Sequence, residues 1–427
     1  MKKYLLSFGF ALAGLLATTT AFNALVDPWD VVAQTRSDGV IRLDSAIRTA
    51  KAYALRGRRP DCLVMGTSRM EYGVDPERLP ARCQRPYNAG LPLAHIYEIR
   101  RYLEHALRQA PVSDLLLGLD FVMFRETPRV TFDFSEGRLA HLKSWRSSGW
   151  SLPEVTGFAI GFDTTRRSLR MLRRPIATPA FEPRGNRNPA KLEAGLATGT
   201  VHRYSAEQFN FLGRFVAPPT AFVTEVPSTV DELQQIIELA HQHGIRLRMA
   251  FTPIHASYHA LLLDLGRHEQ FLAWKRAVAR LTEKAHHTGV DVELWDFATL
   301  NAMTTEPIPP AGAAQRRMLW YWESTHFRPE LGELMVAQIY ASPAADHAPA
   351  GYRVIIDELA HRDAEYRQQF SAWLTRQPQE VAWVKSWLKD TRDEFALPGV
   401  LASLNDGRDT TEGGTEPELG RHRTLMP

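Results

Sequence analysis

Two parts of the chain alternate short apolar runs with longer stretches whose apolar positions recur every three or four residues. The apolar runs predict buried strands at 62–65, 87–91, 115–122, 245–251 and 290–297. The amphipathic stretches predict helices at 41–55, 94–109, 229–243, 269–287 and 330–340. Strands that alternate with helices in this way form a parallel sheet with crossover helices, so we expect an α/β fold.

The alternation stops in two places, and these breaks divide the chain. Residues 31–341 predict one α/β domain, which an irregular insertion interrupts at about 124–228. We expect this insertion, rich in proline, glycine and scattered aromatics, to lie over the carboxyl edge of the sheet. Residues 342–400 are polar with a helical pattern and predict a helical extension on the outside of the core. The tail at 401–427 has few apolar residues and is predicted to be disordered.

One helix predicted inside the insertion, at 163–174, is strongly basic. Its arginines are Arg166, Arg167, Arg170, Arg173 and Arg174. Such a helix suits a membrane surface or an anionic polymer. An ordinary solvated helix face is the competing interpretation.

The first 30 residues predict a signal anchor. Lys2 and Lys3 precede an uncharged run at 4–26, which is long enough to span a bilayer. Small residues at 17–21 leave a cleaved signal peptide open as the alternative, but the apolar run continues beyond them. Because flanking lysines stay on the cytoplasmic side, we expect a single-pass inner-membrane protein with its main domain in the periplasm.

Composition narrows the classes of partner. The chain has 427 residues, of which 44% are hydrophobic and 23% charged, as in ordinary globular proteins. The formal charge of +3 does not demand a nucleic-acid partner, and we expect none. No cysteine and histidine cluster has the spacing of a zinc site, so we predict neither a metal site nor a cofactor.

The two cysteines lie at the beginnings of neighbouring predicted strands. Cys62 begins the first strand, and Cys83 comes shortly before the second. Adjacent parallel strands bring such positions close together, and a disulfide here suits an oxidising compartment. A disulfide that closes this loop contributes about 3 kcal/mol. Two buried free thiols are the alternative.

The stretch at 61–70, DCLVMGTSRM, places a polar segment directly after a buried strand. In open α/β sheets, ligands and chemistry lie at the carboxyl ends of the strands. Ser68 is therefore the first candidate nucleophile. The alternative is a strand-to-helix turn in which Thr67 or Ser68 caps the helix.

A serine hydroxyl needs a base, and a late loop offers one. His326 lies three residues after Glu323 in that loop. A histidine base needs an acceptor that fixes its tautomer and stabilises its charged form, and a carboxylate supplies this. An acyl-transfer intermediate also needs hydrogen-bond donors aimed at its oxyanion. The Ser68 amide, the Gly90 amide and the Asn88 side chain are candidates for these donors.

Four short blocks occur in an order that resembles that of the SGNH (GDSL-like) hydrolases. They are GTSR at 66–69, NAG at 88–90, GLD at 118–120 and ESTH at 323–326. Within that superfamily the chain is most similar to the membrane-anchored or periplasmic branch near the alginate O-acetyltransferases and the D-alanyl-lipoteichoic acid proteins. The resemblance covers 61–124 and 229–341, a little under half of the chain.

The resemblance implies a fold and a set of roles. The fold is a flavodoxin-like α/β/α sandwich of three layers. Ser68 takes the place of the nucleophile, His326 that of the general base, and Glu323 that of the family's aspartate. Asn88 and Gly90 fall in the block where oxyanion donors are expected.

Three further residues are predicted to line the site. Asp120 stands where many members of the family have asparagine, and an ionised carboxylate there repels an oxyanion. Its alternative role is structural, as a partner of Arg69 or of a backbone amide. His255 follows a strand end and lines the same edge of the sheet, or is a structural histidine.

The expected function is that of a membrane-anchored O-acyltransferase or esterase acting on a cell-surface or exported polysaccharide. Aromatic side chains such as Trp320, Tyr321 and Trp322 either stack on sugar rings or belong to the core. One alternative is an inactive SGNH-like scaffold that binds glycan or an export complex. Another is an adaptor whose C-terminal helices bind a membrane-bound acyltransferase.

Overall fold

A six-stranded, mostly parallel sheet lies at the centre of the molecule. Its strands are β1 (Cys62–Met65), β2 (Pro86–Asn88), β3 (Asp114–Leu119), β4 (Arg246–Phe251), β5 (Val292–Asp296) and β6 (Tyr352–Arg353). They are arranged in the order β2-β1-β3-β4-β5-β6. The first five are parallel, and β6 pairs with β5 in the antiparallel direction. The predicted α/β class with a parallel sheet is confirmed, whereas the edge strand β6 was not predicted.

The computed structural model describes residues 1–35, 39–42, 46–126, 129–131, 133–139, 152–174, 176–197, 199–216, 229–313, 316–340 and 349–395. The tail predicted to be disordered, 401–427, lies outside the described residues.

Helices precede, connect and follow the strands. Those outside the predicted insertion are α1 (Lys2–Val26), α2 (Ile47–Arg58), α3 (Ser68–Gly73), α4 (Ile96–Gln109), α9 (Val230–His243), α10 (Ala256–Asp264), α11 (His268–His287), α12 (Pro329–Ile339), α13 (Leu359–Arg376) and α14 (Pro378–Phe395). The insertion contributes α5 (Leu152–Ile160), α6 (Phe162–Arg173), α7 (Pro189–Leu196) and α8 (Val201–Val216). Helix α2 begins six residues later than the apolar spacing predicts.

The strands are buried on both faces, which explains why they read as continuous apolar runs. In β1, Leu63 and Met65 pack into a core cluster that includes α2, α4, α9 and α11. Cys62 and Val64 point to the other face, into a cluster built on α12. The sheet therefore lies between two apolar layers, as in a three-layer α/β fold. Each fully buried leucine of this core stabilises the fold by roughly 2 kcal/mol.

The C-terminal helices pack into the main core. Tyr366, Phe370 and Trp373 of α13 and Val384 of α14 are buried in the same cluster as the sheet. The Tyr366 hydroxyl also hydrogen-bonds to His259 of α10 and His268 of α11. These helices are thus part of the domain's hydrophobic core, although the sequence placed them on its outside.

Helix α1 meets the requirements of a membrane span. Within the described residues it is the one helix long and apolar enough to cross a bilayer, and it lies at the N-terminus. By length and composition it is either a single-pass anchor or a signal sequence. It packs against α5 and α6 of the insertion.

Candidate active site

Ser68 lies where β1 turns sharply into α3. Gly66 adopts a φ of +145°, and a Cβ there would lie 2.6 Å from the Met70 Cγ and 2.9 Å from the Gly118 oxygen. Only glycine fits this turn without strain. Thr67 is the N-cap of α3, and its hydroxyl accepts from the Arg69 amide at 3.2 Å. Because Thr67 supplies the cap, the half-buried Ser68 hydroxyl is left for another partner.

That partner is His326. The Ser68 Oγ lies 2.8 Å from the His326 Nε2, and the His326 Nδ1 is hydrogen-bonded to the Glu323 Oε1. Since a carboxylate only accepts, the proton of this second bond belongs to Nδ1. Nε2 then carries the lone pair that accepts the Ser68 hydroxyl proton. The structure therefore places Ser68, His326 and Glu323 in one hydrogen-bonded chain.

Backbone amides of the loop itself hold the Glu323 carboxylate. Glu323 is fully buried, and its oxygens accept from the His326 amide at 3.0 Å and from the Thr325 amide at 2.8 Å. An antiparallel bridge between Tyr321 and Phe327 closes the loop. The spacing of three residues between Glu323 and His326 thus lets one carboxylate bind both the loop backbone and the imidazole.

The His326 ring is also fixed from the side. Tyr72, one turn after Ser68 on α3, stacks on it with 4.2 Å between ring centroids and 22° between ring planes. Tyr72 is itself buried in a small cluster with Trp322 and with Leu192, Leu196 and Tyr204 of the insertion. The imidazole is consequently held in one orientation by both α3 and the insertion.

The insertion also binds the loop through polar contacts. Ser205 of α8 accepts from the Ser324 amide at 3.1 Å, and its carbonyl accepts from the Ser324 hydroxyl at 3.3 Å. Arg328 donates to Glu193 of α7 at 2.7 Å. Nothing in the sequence pairs α8 with a loop more than a hundred residues later, so Ser205 was not predicted as a site residue.

Asp120, at the end of β3, faces a cation. Its carboxylate forms an ion pair with Arg69 and accepts hydrogen bonds from the hydroxyls of Thr67 and Thr252. Arg69 in turn donates from Nε to the Thr325 carbonyl at 3.1 Å. Burial lowers the pKa of Arg69, but the charge and hydrogen bond of Asp120, together with those of Tyr258, more than offset it, so the net shift of that pKa is upward. The arrangement compensates the Asp120 charge and ties the His326 loop to α3.

Asn88 and Gly90 do not face the Ser68 hydroxyl as free donors. The Asn88 Nδ2 donates at 2.8 Å to the carbonyls of both Met70 and Val74, at the end of α3. The Gly90 amide donates to the Asn88 Oδ1 at 2.9 Å. This geometry argues against the oxyanion role predicted for both residues, because each donor already has an acceptor. They instead hold the helix that carries Ser68.

The Ser68 amide is the remaining candidate oxyanion donor. It is the first N–H of α3, a position that has no acceptor within the helix. It also belongs to the candidate nucleophile itself, as one oxyanion donor of acyl-transfer sites commonly does.

His255 is buried beneath the loop and is engaged at both ring nitrogens. Its Nε2 lies 2.6 Å from the Glu306 carbonyl, and its Nδ1 accepts from the Ser257 amide at 3.2 Å as the cap of α10. Burial lowers the pKa of His255 to about 4, and the hydrogen bond to Glu306 opposes this only in part. The ring packs edge-on against Tyr321. His255 is thus a neutral support of the loop, without a free nitrogen to offer a substrate.

A buried ion cluster behind α3 was also not predicted. Glu71, fully buried, pairs with Arg187 of the insertion and with Lys51 of α2, the latter at 3.2 Å. Lys51 also donates to the Gly90 carbonyl at 2.5 Å. Burial lowers the pKa of Lys51 to about 8, despite the opposing charge of Glu71. In the sequence, Lys51 only interrupts an apolar helix face, and Arg187 lies in an irregular segment.

A disulfide joins Cys62 to Cys83, with 5.6 Å between the Cα atoms. It closes the crossover from β1 to β2, which contains α3. Among the described residues, one group of possible metal ligands lies close enough together to bind an ion, namely Cys62, Cys83 and Asp114. The two sulfur atoms of this group are already bonded to each other in the disulfide. Its geometry therefore gives no reason to assign a metal.

The aromatic residues before His326 belong mostly to the interior. Tyr321 and Trp322 are buried, and the Arg328 guanidinium covers the Trp322 ring at 4.0 Å. Trp320 is half-buried. Stacking on a sugar ring is thus open only to Trp320 among these three.

Compared with models of known protein families and with curated protein sequences, the chain shows no match.

Proposed function

We propose that this protein is a membrane-anchored, extracytoplasmic serine acyltransferase or esterase of the SGNH type. The observation that carries the proposal is the hydrogen-bonded chain from Ser68 through His326 to Glu323. The order of the five parallel strands, 2-1-3-4-5, supports a flavodoxin-like fold, in which the carboxyl ends of the strands form the site.

The proposed reaction runs in two steps. The Ser68 oxygen attacks the acyl carbonyl while the His326 Nε2 takes the hydroxyl proton, and Glu323 stabilises the imidazolium. The tetrahedral oxyanion accepts from the Ser68 amide. Collapse expels the alcohol, which takes the proton from His326, and leaves an acyl ester on Ser68. Water or a sugar hydroxyl then attacks that ester by the same route in reverse.

The location and substrate class rest on separate observations. The two lysines at the start of α1 and the disulfide between Cys62 and Cys83 support an anchored protein whose domain lies in an oxidising compartment. A domain exported and tied to the inner membrane meets surface or exported polysaccharides, whose hydroxyls carry acyl groups. We therefore propose an O-acylated polysaccharide as substrate or product.

Hydrolysis of an aryl acetate by the full-length protein in detergent tests the triad. We expect Ser68→Ala and His326→Ala each to lower kcat/KM by at least 10³-fold, since each removes a group the reaction uses. The control is Ser386→Ala, which removes an exposed serine hydroxyl of α14 that donates to the Trp383 carbonyl. Activity that survives both Ser68→Ala and His326→Ala rules out the triad.

An inactive scaffold is the second candidate, and one observation favours it. The Asn88 side chain and the Gly90 amide already donate to other acceptors. Of the three predicted oxyanion donors, the Ser68 amide is therefore the one that remains. A wild-type protein that hydrolyses the aryl acetate no faster than Ser68→Ala, yet binds acetylated oligosaccharide, would favour the scaffold.

A further inference from the structure

The carboxyl-terminal end of α1 is bound by the insertion. Asn23 is 2% exposed although it lies in an apolar helix. Its side-chain amide donates to the Ala159 carbonyl at 2.9 Å and to the Thr165 hydroxyl at 3.0 Å, and its oxygen accepts from the Ser168 hydroxyl at 2.9 Å. Trp29, just beyond α1, donates to the Thr164 hydroxyl at 2.9 Å. Helix α6 is therefore fixed beside the end of the candidate membrane span.

One side of α6 exposes apolar side chains. Phe162, Leu169 and Leu172 are 80%, 47% and 60% exposed. At 100° per residue they fall within an arc of about 80°. Thr164 and Ser168, which contact the α1 region, are buried and lie outside this arc, whereas Thr165, which also contacts Asn23, lies within it. An exposed phenylalanine and two leucines on one arc form an apolar patch of the kind that marks a protein or membrane contact.

A basic stripe runs beside this apolar arc. Arg166, Arg170 and Arg173 are exposed, and by the same helical geometry they occupy the neighbouring arc of about 60°. In the described part of the chain, no carboxylate forms an ion pair with any of the three. Arg167 differs, because its guanidinium lies over the Trp29 ring at 4.2 Å. An apolar arc bordered by unpaired arginines is the pattern of a helix that lies in a membrane interface.

We propose that α6 docks on an anionic lipid surface next to α1. Phe162, Leu169 and Leu172 enter the boundary of the acyl chains, while the three arginines bind lipid phosphates. The contact with α1 favours a bilayer over other occupants, because the membrane anchor that the proposed function assigns to α1 brings the helix fixed at its end close to the bilayer surface. A glycan offers no apolar phase for these side chains. The proposal is independent of the chemistry at Ser68.

The docking is tested by the depth of a fluorophore on α6. Leu169→Cys, in the full chain reconstituted into nanodiscs, is labelled with an environment-sensitive dye; the native cysteines form a disulfide and do not react. Leu263→Cys on α10 is the matched control, because Leu263 is 44% exposed and Leu169 is 47% exposed. Nanodiscs contain either phosphatidylcholine alone or a mixture with phosphatidylglycerol, with nitroxides on the acyl chains.

We expect acyl-chain nitroxides to quench the label at 169 at least threefold more than the label at 263. Phosphatidylglycerol should increase this quenching at least twofold over phosphatidylcholine alone. Arg166→Gln/Arg170→Gln/Arg173→Gln should abolish that increase while α1 still holds the chain in the disc. Equal quenching at the two positions overturns the proposal. Quenching at 169 that does not change with lipid charge also overturns it. So does shielding of the 169 label that occurs only in discs with two copies of the chain, because a second copy would then cover α6.

Discussion

Two buried carboxylates, Glu323 and Asp120, flank the loop of His326 and are held in opposite ways. Glu323 accepts from backbone amides and from the His326 imidazole, and among the described residues no lysine or arginine pairs with it. Asp120 is paired with Arg69, which is always charged, and with two hydroxyls. A carboxylate without a permanent cation can stabilise a charge that forms during a reaction. A carboxylate already neutralised holds structure together.

The largest effect is expected from Glu323→Gln. An amide in place of the carboxylate no longer fixes the Nδ1–H tautomer of His326 and does not stabilise the imidazolium, so kcat should fall about 10³- to 10⁴-fold. The control is Glu238→Gln, which replaces an exposed carboxylate of α9 that accepts from Gln234 and should change kcat less than threefold. A Glu323→Gln protein with more than a tenth of the wild-type kcat would break the distinction between the two carboxylates.

Asp120→Asn should act mainly on stability. It leaves the buried Arg69 without its counter-charge, which costs about 3–5 kcal/mol of unfolding free energy, and loosens the loop enough to lower kcat about 10- to 100-fold. Asp114→Asn is the matched control, since Asp114 begins the same strand and pairs with Arg82 and Arg246 at the opposite end. Thermal melting and aryl acetate hydrolysis are the readouts. An Asp120→Asn protein as stable as wild type would refute the structural role.

Acid should weaken the support beneath the loop. Since the pKa of His255 is about 4 in the folded protein and 6.5 in the unfolded chain, below pH 6.5 the unfolded chain binds a proton that the folded one does not. The free energy of unfolding therefore decreases as the pH is lowered from 6.5 towards 4, and this residue contributes up to about 1.4 kcal/mol per pH unit to the decrease. Melting temperatures at pH 6.5, 5.5 and 4.5 should fall less steeply for His255→Gln, whereas the exposed His243→Gln should follow wild type. Equal slopes for all three proteins would contradict this.

The sequence predicted the strand-end chemistry because local patterns determine it. The apolar run before Ser68 and the spacing between Glu323 and His326 are visible in single segments, and the parallel sheet brings strand ends to one edge. For Asn88 and Gly90, position within the fold was predicted but the hydrogen-bond partners were not. The Asn88 side chain donates to carbonyls at the end of the short helix α3, whose place depends on the whole turn after β1, and the Gly90 amide donates to Asn88.

Contacts made by the insertion had no local signal. Ser205 lies in a helix that was not predicted, and Arg187 lies in an irregular segment, yet they bind the loop and α3. Long-range partners of this kind follow from tertiary packing, which one sequence read segment by segment does not reveal. Arg69 differs from these residues, because it directly follows Ser68 in the sequence and was predicted as a possible partner of Asp120. The structure pairs it with Asp120.

Activation of the Ser68 nucleophile by His326 is tested most directly with a fluorophosphonate that reacts with the folded protein. Mass spectrometry then maps the adduct. The expected result is one phosphonyl group, on Ser68, whose rate of formation falls more than 100-fold in His326→Ala. The absence of an adduct on Ser68, under conditions that label a known serine hydrolase completely, would contradict the claim.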